Sequence, residues 1–312
     1  MRAVAALLVV FQHAYYTACV SRGEIYSNEF PVNYGRLGVV LFFSISGFVI
    51  ALNRKRSIKE FVTHRLLRIF PGYWLAIALT FPFYCFPPHQ MHVSLEAALL
   101  WPSAQDSGLP IPYWTLVFEV FFYFVATVLF SSRLGDRALT VIAVAWIAAI
   151  NVCQHNPIDG SDFCFPGFWI GLSPIMQVLP MGFLCSLHFG MLAKVNRGIF
   201  AAAAVVAYAT SFFFPDFTVL RHLFLGASTT LLLAAVADMN ILNKATRIMG
   251  NASYGIYLIH FPVMVLVFPL LPKMPTALAI AVFMTIGTGL GLLFGIFDYW
   301  VYRQNTKRIL SI

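Results

Sequence analysis

The chain has 312 residues, of which 60% are hydrophobic, 16% aromatic and only 10% charged, with a formal net charge of +8. A soluble domain carries about 25% charged residues, and no globule of this size hides so much apolar side chain from water. Soluble enzyme, disordered chain and nucleic-acid binder are therefore excluded, and the positive charge demands a membrane explanation.

A hydrocarbon core about 30 Å thick takes about 20 apolar residues rising 1.5 Å each. That ruler predicts an all-α polytopic integral membrane bundle of about ten transmembrane helices. They fall near 3–20, 37–53, 72–87, 112–131, 138–154, 175–193, 198–214, 219–237, 252–271 and 277–301. Residues 89–105 are too broken to count and read as a surface segment outside the core. No connection exceeds about 25 residues, so residues 1–312 are expected to form a single membrane domain with no fused soluble domain. The five cysteines are odd in number and lack CxxC spacing, so no metal site is expected. Cys153 and Cys164 flank one loop and could pair across it.

The charges alternate with the predicted spans. Sixteen of the twenty Lys and Arg fall at the N-terminus and in 54–68, 132–137, 194–197, 238–251 and 302–312. The opposite connections hold only Arg22, Arg36, Arg221 and Lys273 and are richer in acid. The positive-inside rule then puts both termini in the cytoplasm.

Ionisable groups inside spans are costly, so each is a functional candidate. His13 lies eleven residues after Arg2. Eleven residues advance a helix about 16 Å and turn it about three full turns plus 20°, so the two share a face. A cation at the mouth with an imidazole at depth suits an anionic substrate and proton transfer. The plainer alternative is a histidine bonded to a neighbouring helix and a snorkelling arginine.

In the second span Ser44, Ser46 and Gly47 read as close helix packing. The following segment carries Arg54, Lys55, Arg56, Lys59, His64, Arg65 and Arg68. Arg65 and Arg68 are spaced i, i+3, project together, and as guanidinium forks suit phosphates. A purely topological role for this cluster is the alternative.

Glu119 sits among Phe118, Phe121, Phe122 and Tyr123, where its expected partner is a histidine or arginine on another span. Tyr113 and Trp114 read as an interfacial belt. His188 reads as helix packing between Gly182 and Gly190. Asn251 or Ser253 is expected to cap the ninth span, in which Tyr257 and His260 look the same way. Asp298 is expected to pair with Arg303.

In this order the segments resemble the membrane acyltransferase 3 family of bacterial glycan O-acyltransferases. The matching pieces are Arg2 through His13 (Arg-x10-His) and Gly38 through Ile50 (Gly-x-x-x-Phe-Phe-x-x-Ser-Gly-Phe-x-Ile). Phe61 to Tyr73, with Arg65-x-x-Arg68 and Pro71-x-Tyr73, follows, then Trp114 to Tyr123 with Glu119, then His188 to Ala193, then Asn251 to Pro262. Thr115 stands where the family has serine, Val120 stands where it has a second acid, and Arg2 follows Met1 directly where the family has several residues before that arginine.

The resemblance implies an O-acyltransferase of the bacterial cytoplasmic membrane. It would move an acyl group, most often acetyl, from cytoplasmic acyl-CoA to a hydroxyl of a cell-surface or lipid-linked glycan. It implies that Arg2, His13, Arg65 and Arg68 are the functional residues. Arg65 and Arg68 would then hold the CoA phosphates, Arg2 would guide or position the donor, and His13 would be the base or the transient acyl carrier. Glu119 or His260 would orient that imidazole. The rival reading is a proton-coupled transporter or flippase for a sugar or lipid, with His and Glu as a relay. It lacks an inverted repeat, because neither the basic cluster nor the His13 span has a counterpart in the second half.

Overall fold

The computed structural model describes residues 1–21, 23, 33–84, 94–102, 113–153, 167–216, 218–239 and 243–310. The Cys153–Cys164 pairing falls outside the described residues, as do most of the acidic connections. The elements are α1 (Arg2–Ser21), α2 (Tyr34–Leu52), α3 (Ile58–Tyr84), α4 (Leu95–Ala98), α5 (Trp114–Ser131) and α6 (Asp136–Cys153). Two 3-10 turns, Gly167–Leu172 and Pro174–Gln177, lead into α7 (Val178–Leu187) and α8 (Phe189–Leu192). Then come α9 (Arg197–Ser211), α10 (Val219–Val236), α11 (Lys244–Val267) and α12 (Thr276–Leu310). No strand occurs among the described residues.

Seven helices are long and apolar enough to cross a membrane: α1, α2, α5, α6, α10, the Lys244–Leu270 stretch and α12. The other three expected spans fall on α3 and on two shorter apolar helices, Pro174–Leu187 and Arg197–Ser211. The protein is an all-α polytopic membrane protein.

Polar side chains close the helix ends. Asn33 accepts the Arg36 N–H to start α2, and Thr218 accepts the Arg221 N–H to start α10. Helix α11 begins earlier than expected: Asn243 and Thr246 form a reciprocal capping box ahead of Lys244, so neither Asn251 nor Ser253 is the cap.

Helix α1 packs between α2 and the α11–α12 pair, while α2 also lies along α7 and α10. Two close approaches set this arrangement. Gly47 and Gly182 bring α2 and α7 together, and a Cβ on Gly182 would strike the Ser44 carbonyl. On α12, Gly287, Gly291 and Gly295 recur every fourth residue, making one face of backbone against α11. A Cβ on Gly291 would meet Ile256 at 2.9 Å, and one on Gly295 would strike the Ala252 carbonyl.

Pro262 inside α11 has no N–H, which leaves the Leu258 carbonyl one turn back without its helical donor. Tyr113 supplies it, its hydroxyl donating to Leu258 O at 3.0 Å. Tyr113 is fully buried and T-shaped against Tyr73, so it is a core residue rather than part of an interfacial belt. The 94–102 stretch is likewise not a detached surface segment. Tyr73 and Trp74 donate to the carbonyls of Ala97 (2.7 Å) and Ala98 (2.8 Å), and Leu100, in a left-handed conformation, is buried in the core.

Candidate active site

Arg2, Arg65, Arg68 and Glu119 line one cavity of about 60 Å³, at the end of the bundle where α1 begins. Its remaining walls come from α2 (Val39, Phe42, Phe43, Ser46), α3 (Ile69), α5 (Thr115, Leu116, Tyr123) and α11 (Ser253, Tyr254, Tyr257). A second cavity of about 220 Å³ shares Arg65 and Arg68 and adds Arg56, His64, Asn53 and Tyr302. The two arginines of the i, i+3 pair therefore stand where the chambers meet.

They stand there differently. The Arg68 guanidinium donates to Asp298 at 3.0 Å and to the Asn251 carbonyl at 3.1 Å, and lies over the rings of Tyr254, Tyr299 and Tyr302. The expected Asp298–Arg303 pair does not form, because five residues turn a helix by about 500°, carrying Arg303 to another face. Arg65 stacks on Phe61, one turn behind it, at 5.4 Å and on Tyr123 at 5.2 Å. Among the described residues neither Arg2 nor Arg65 makes a hydrogen bond or ion pair, and Arg65 Nε is buried without a partner.

Glu119 is the cavity's one acid. Its partners are hydroxyls rather than the expected histidine or arginine: Ser46 of α2 donates to Oε1 at 2.8 Å, and Tyr123, one turn on, donates to the same oxygen. With Arg68 paired to Asp298, Arg2 and Arg65 against Glu119 leave the cavity with a net positive charge, a setting for an anionic ligand.

His13 and His260 do not line this cavity. They meet each other, His13 Nδ1 lying 2.8 Å from His260 Nε2. The His13 ring also packs on Phe261. Along α11 the face runs from Tyr254 through Tyr257 to His260 at the 3–4 residue spacing of one helix side. Tyr257 thus stands between cavity and imidazole pair. Its hydroxyl bonds Thr115, its ring packs on Phe42, and it lies 6.1 Å from His260 between ring centres. The predicted site is therefore brought together as two groups one helical turn apart. No hydrogen bond joins Glu119 to His13 among the described residues, so of the two residues expected to orient that imidazole only His260 touches it. His188 lies apart, bonding Thr140 at 2.9 Å.

Sequence reading missed Asp298 as the partner of Arg68 and Ser46 as a donor to Glu119. It also missed the Tyr123 hydroxyl, although the i, i+4 spacing of Glu119 and Tyr123 carried that signal. No groups of metal-binding side chains occur among the described residues.

Residues 1–297 match the family described as "Acyltransferase domain". An "O-acetyl transferase" of Shigella phage Sf6 is 24% identical over 288 residues, covering 84% of this chain and 82% of that protein. The "Exopolysaccharide production protein ExoZ" of Rhizobium meliloti (strain 1021) is 29% identical, covering 72% of this chain and 75% of its own. "Nodulation protein 10" of Rhizobium leguminosarum bv. viciae is 26% identical, covering 64% and 61%. No solved structure matches the chain significantly.

Proposed function

The chain belongs to the acyltransferase domain family, and we propose that it transfers an acyl group, acetyl first, from acyl-CoA to a hydroxyl of a cell-surface or lipid-linked glycan. In this reading the donor comes from the cytoplasm, both termini face that side, and the membrane is the bacterial cytoplasmic membrane. The carrying observation is the meeting of two cavities at Arg65 and Arg68, with Arg2 beyond them and a single acid opposite.

A cavity of about 60 Å³ has room for a small group and none for a nucleotide, so the phosphates belong in the wider outer chamber beside Arg56, His64 and Tyr302. Arg65, whose guanidinium is uncommitted, holds phosphate. Arg68, bound to Asp298, keeps the junction in shape and adds its field. The thioester end then points toward Tyr257 and the histidines. His13 removes the proton of the acceptor hydroxyl, the oxygen attacks the thioester carbonyl, and the C–S bond breaks as the CoA thiolate departs and takes up a proton. A phage O-acetyl transferase and an exopolysaccharide production protein among the relatives support a glycan acceptor. The family match supports acyl transfer over the transporter reading.

The test is acyl transfer by purified protein in proteoliposomes, with radiolabelled acetyl-CoA and a lipid-linked oligosaccharide. Labelled glycan, with CoA released in equal amount, is the expected result. Uptake of sugar or lipid without acylation would overturn the proposal.

A further inference from the structure

We propose that His260 is a positioning residue that locks His13 in one tautomer, leaving Nε2 of His13 as the basic nitrogen; the inference rests on the reading of His13 as the base.

The chain of contacts starts at a group that can only accept. The Ile256 carbonyl lies 2.9 Å from His260 Nδ1, and a carbonyl has no hydrogen to give. His260 Nδ1 therefore carries a hydrogen and donates it. A neutral imidazole has one N–H, so His260 Nε2 is left with a lone pair. His260 is fully buried and no carboxylate among the described residues bonds it, so a second proton on the ring would have no counter-charge. That lone pair faces His13 Nδ1 at 2.8 Å. For the contact to be a hydrogen bond, His13 Nδ1 must carry the hydrogen. Its own Nε2 is then bare.

Ring orientation agrees. The two planes lie within 26° of each other with centroids 5.0 Å apart. That separation is the N–N distance plus about one ring radius on each side, so the imidazoles meet edge to edge with the lone pair and the N–H both in plane. Face-to-face contact would bring the centroids closer and leave no directed bond. His13 is also the less buried member of the pair, His260 being fully buried. The anchor is itself held. Ile256 lies against Gly291 and the Cβ of His260 against Gly287, so the glycine face of α12 sets the height of both.

The tautomer is readable without turnover. Protein labelled with 15N-histidine is examined by solid-state NMR in lipid, with His13 and His260 assigned by His13→Gln and His260→Gln. A nitrogen without hydrogen resonates far from one that carries it. The expected result is a hydrogen on Nδ1 and none on Nε2 for His13, and the same for His260. A hydrogen on Nε2 of His13 in the folded wild type would overturn the proposal.

Two replacements give the kinetic arm. His260→Gln offers an amide oxygen near the position of the lost Nε2 and keeps an acceptor for His13, whereas His260→Leu offers none. We expect His260→Leu to lose about 10-fold or more in kcat with KM for acyl-CoA unchanged, and His260→Gln to recover most of it. Equal kcat for the two variants, with both folded, would contradict the lock. If His260→Leu does not fold, the wild-type spectrum and the His260→Gln kinetics still decide. Full activity of His13→Ala would remove the base assignment while leaving the spectrum as evidence on the tautomer, so the two failures are separable.

Discussion

Arg68 and Asp298 are 230 residues apart in sequence and 3.0 Å apart in space, and the bond between them joins α3 to α12 beside the cavity. Asp298 is only 4% exposed, so the pair is buried on one side at least. Losing one partner of a buried ion pair strands the other, at a cost of about 3–5 kcal/mol. Arg65 has no such partner to strand.

Arg68→Ala should therefore lower the thermal midpoint of the detergent-solubilised protein strongly, while Arg65→Ala leaves it nearly unchanged. Differential scanning fluorimetry checks both. Equal midpoints for the two variants would mean that the pair contributes little to the fold.

Arg65→Ala should instead act on the donor. A charge-assisted bond to phosphate is worth about 1.5–3 kcal/mol, or roughly 10- to 150-fold in affinity. The KM for acyl-CoA is expected to rise by that factor while the KM for the glycan stays put. Wild-type donor KM in the variant would reduce the basic cluster to a topological anchor.

His13→Ala should lose at least about 100-fold in turnover per folded molecule, the lower bound for a general base, and keep its size-exclusion profile. The same change at His188, bonded to Thr140 and far from the imidazole pair, should be mild. A well-folded, fully active His13 variant would sink the base assignment.

On the α12 glycine face, Gly295→Ala should cost about 1–3 kcal/mol, since its Cβ would strike the Ala252 carbonyl of α11. Gly289→Ala, whose Cβ has nothing within 4 Å, should be neutral or slightly stabilising by helix propensity. Thermal midpoints of the pair make the comparison.

For topology, single cysteines at Ser57 and Lys273 in a cysteine-free background should react with an impermeant maleimide from opposite sides of the membrane. Same-side labelling would contradict the alternation of basic residues.

Hydropathy and spacing made much of this legible. The apolar stretches predicted the all-α membrane bundle, seven of whose helices are long and apolar enough to cross. The eleven-residue interval predicted one face for Arg2 and His13, of which the structure puts Arg2 at the cavity and His13 against His260. Those signals are local, because a helix repeats every 3.6 residues whatever it packs against. What remained hidden depends on partners distant in the chain. Nothing near Asp298 names Arg68, and Arg303 looked closer only because sequence distance ignores the turn of the helix. Tyr113 resembled a belt residue because its role answers a defect elsewhere, the missing N–H of Pro262. The α12 glycines were visible at every fourth position, yet only the structure shows them setting α11 and its His260.

Tyr257 and Thr115, bonded through their hydroxyls, form the part of the cavity wall that lies nearest His260. A membrane with a standing ion gradient tolerates no wet conduit, since one leaking pathway discharges the voltage that the whole cell maintains. In this arrangement the arginine-lined chamber and the imidazole pair are insulated from one another by a tyrosine ring and two hydroxyls. Under the proposed transfer, a group passing that point takes the place of the ring as a plug fills a valve, and the path stays closed to current.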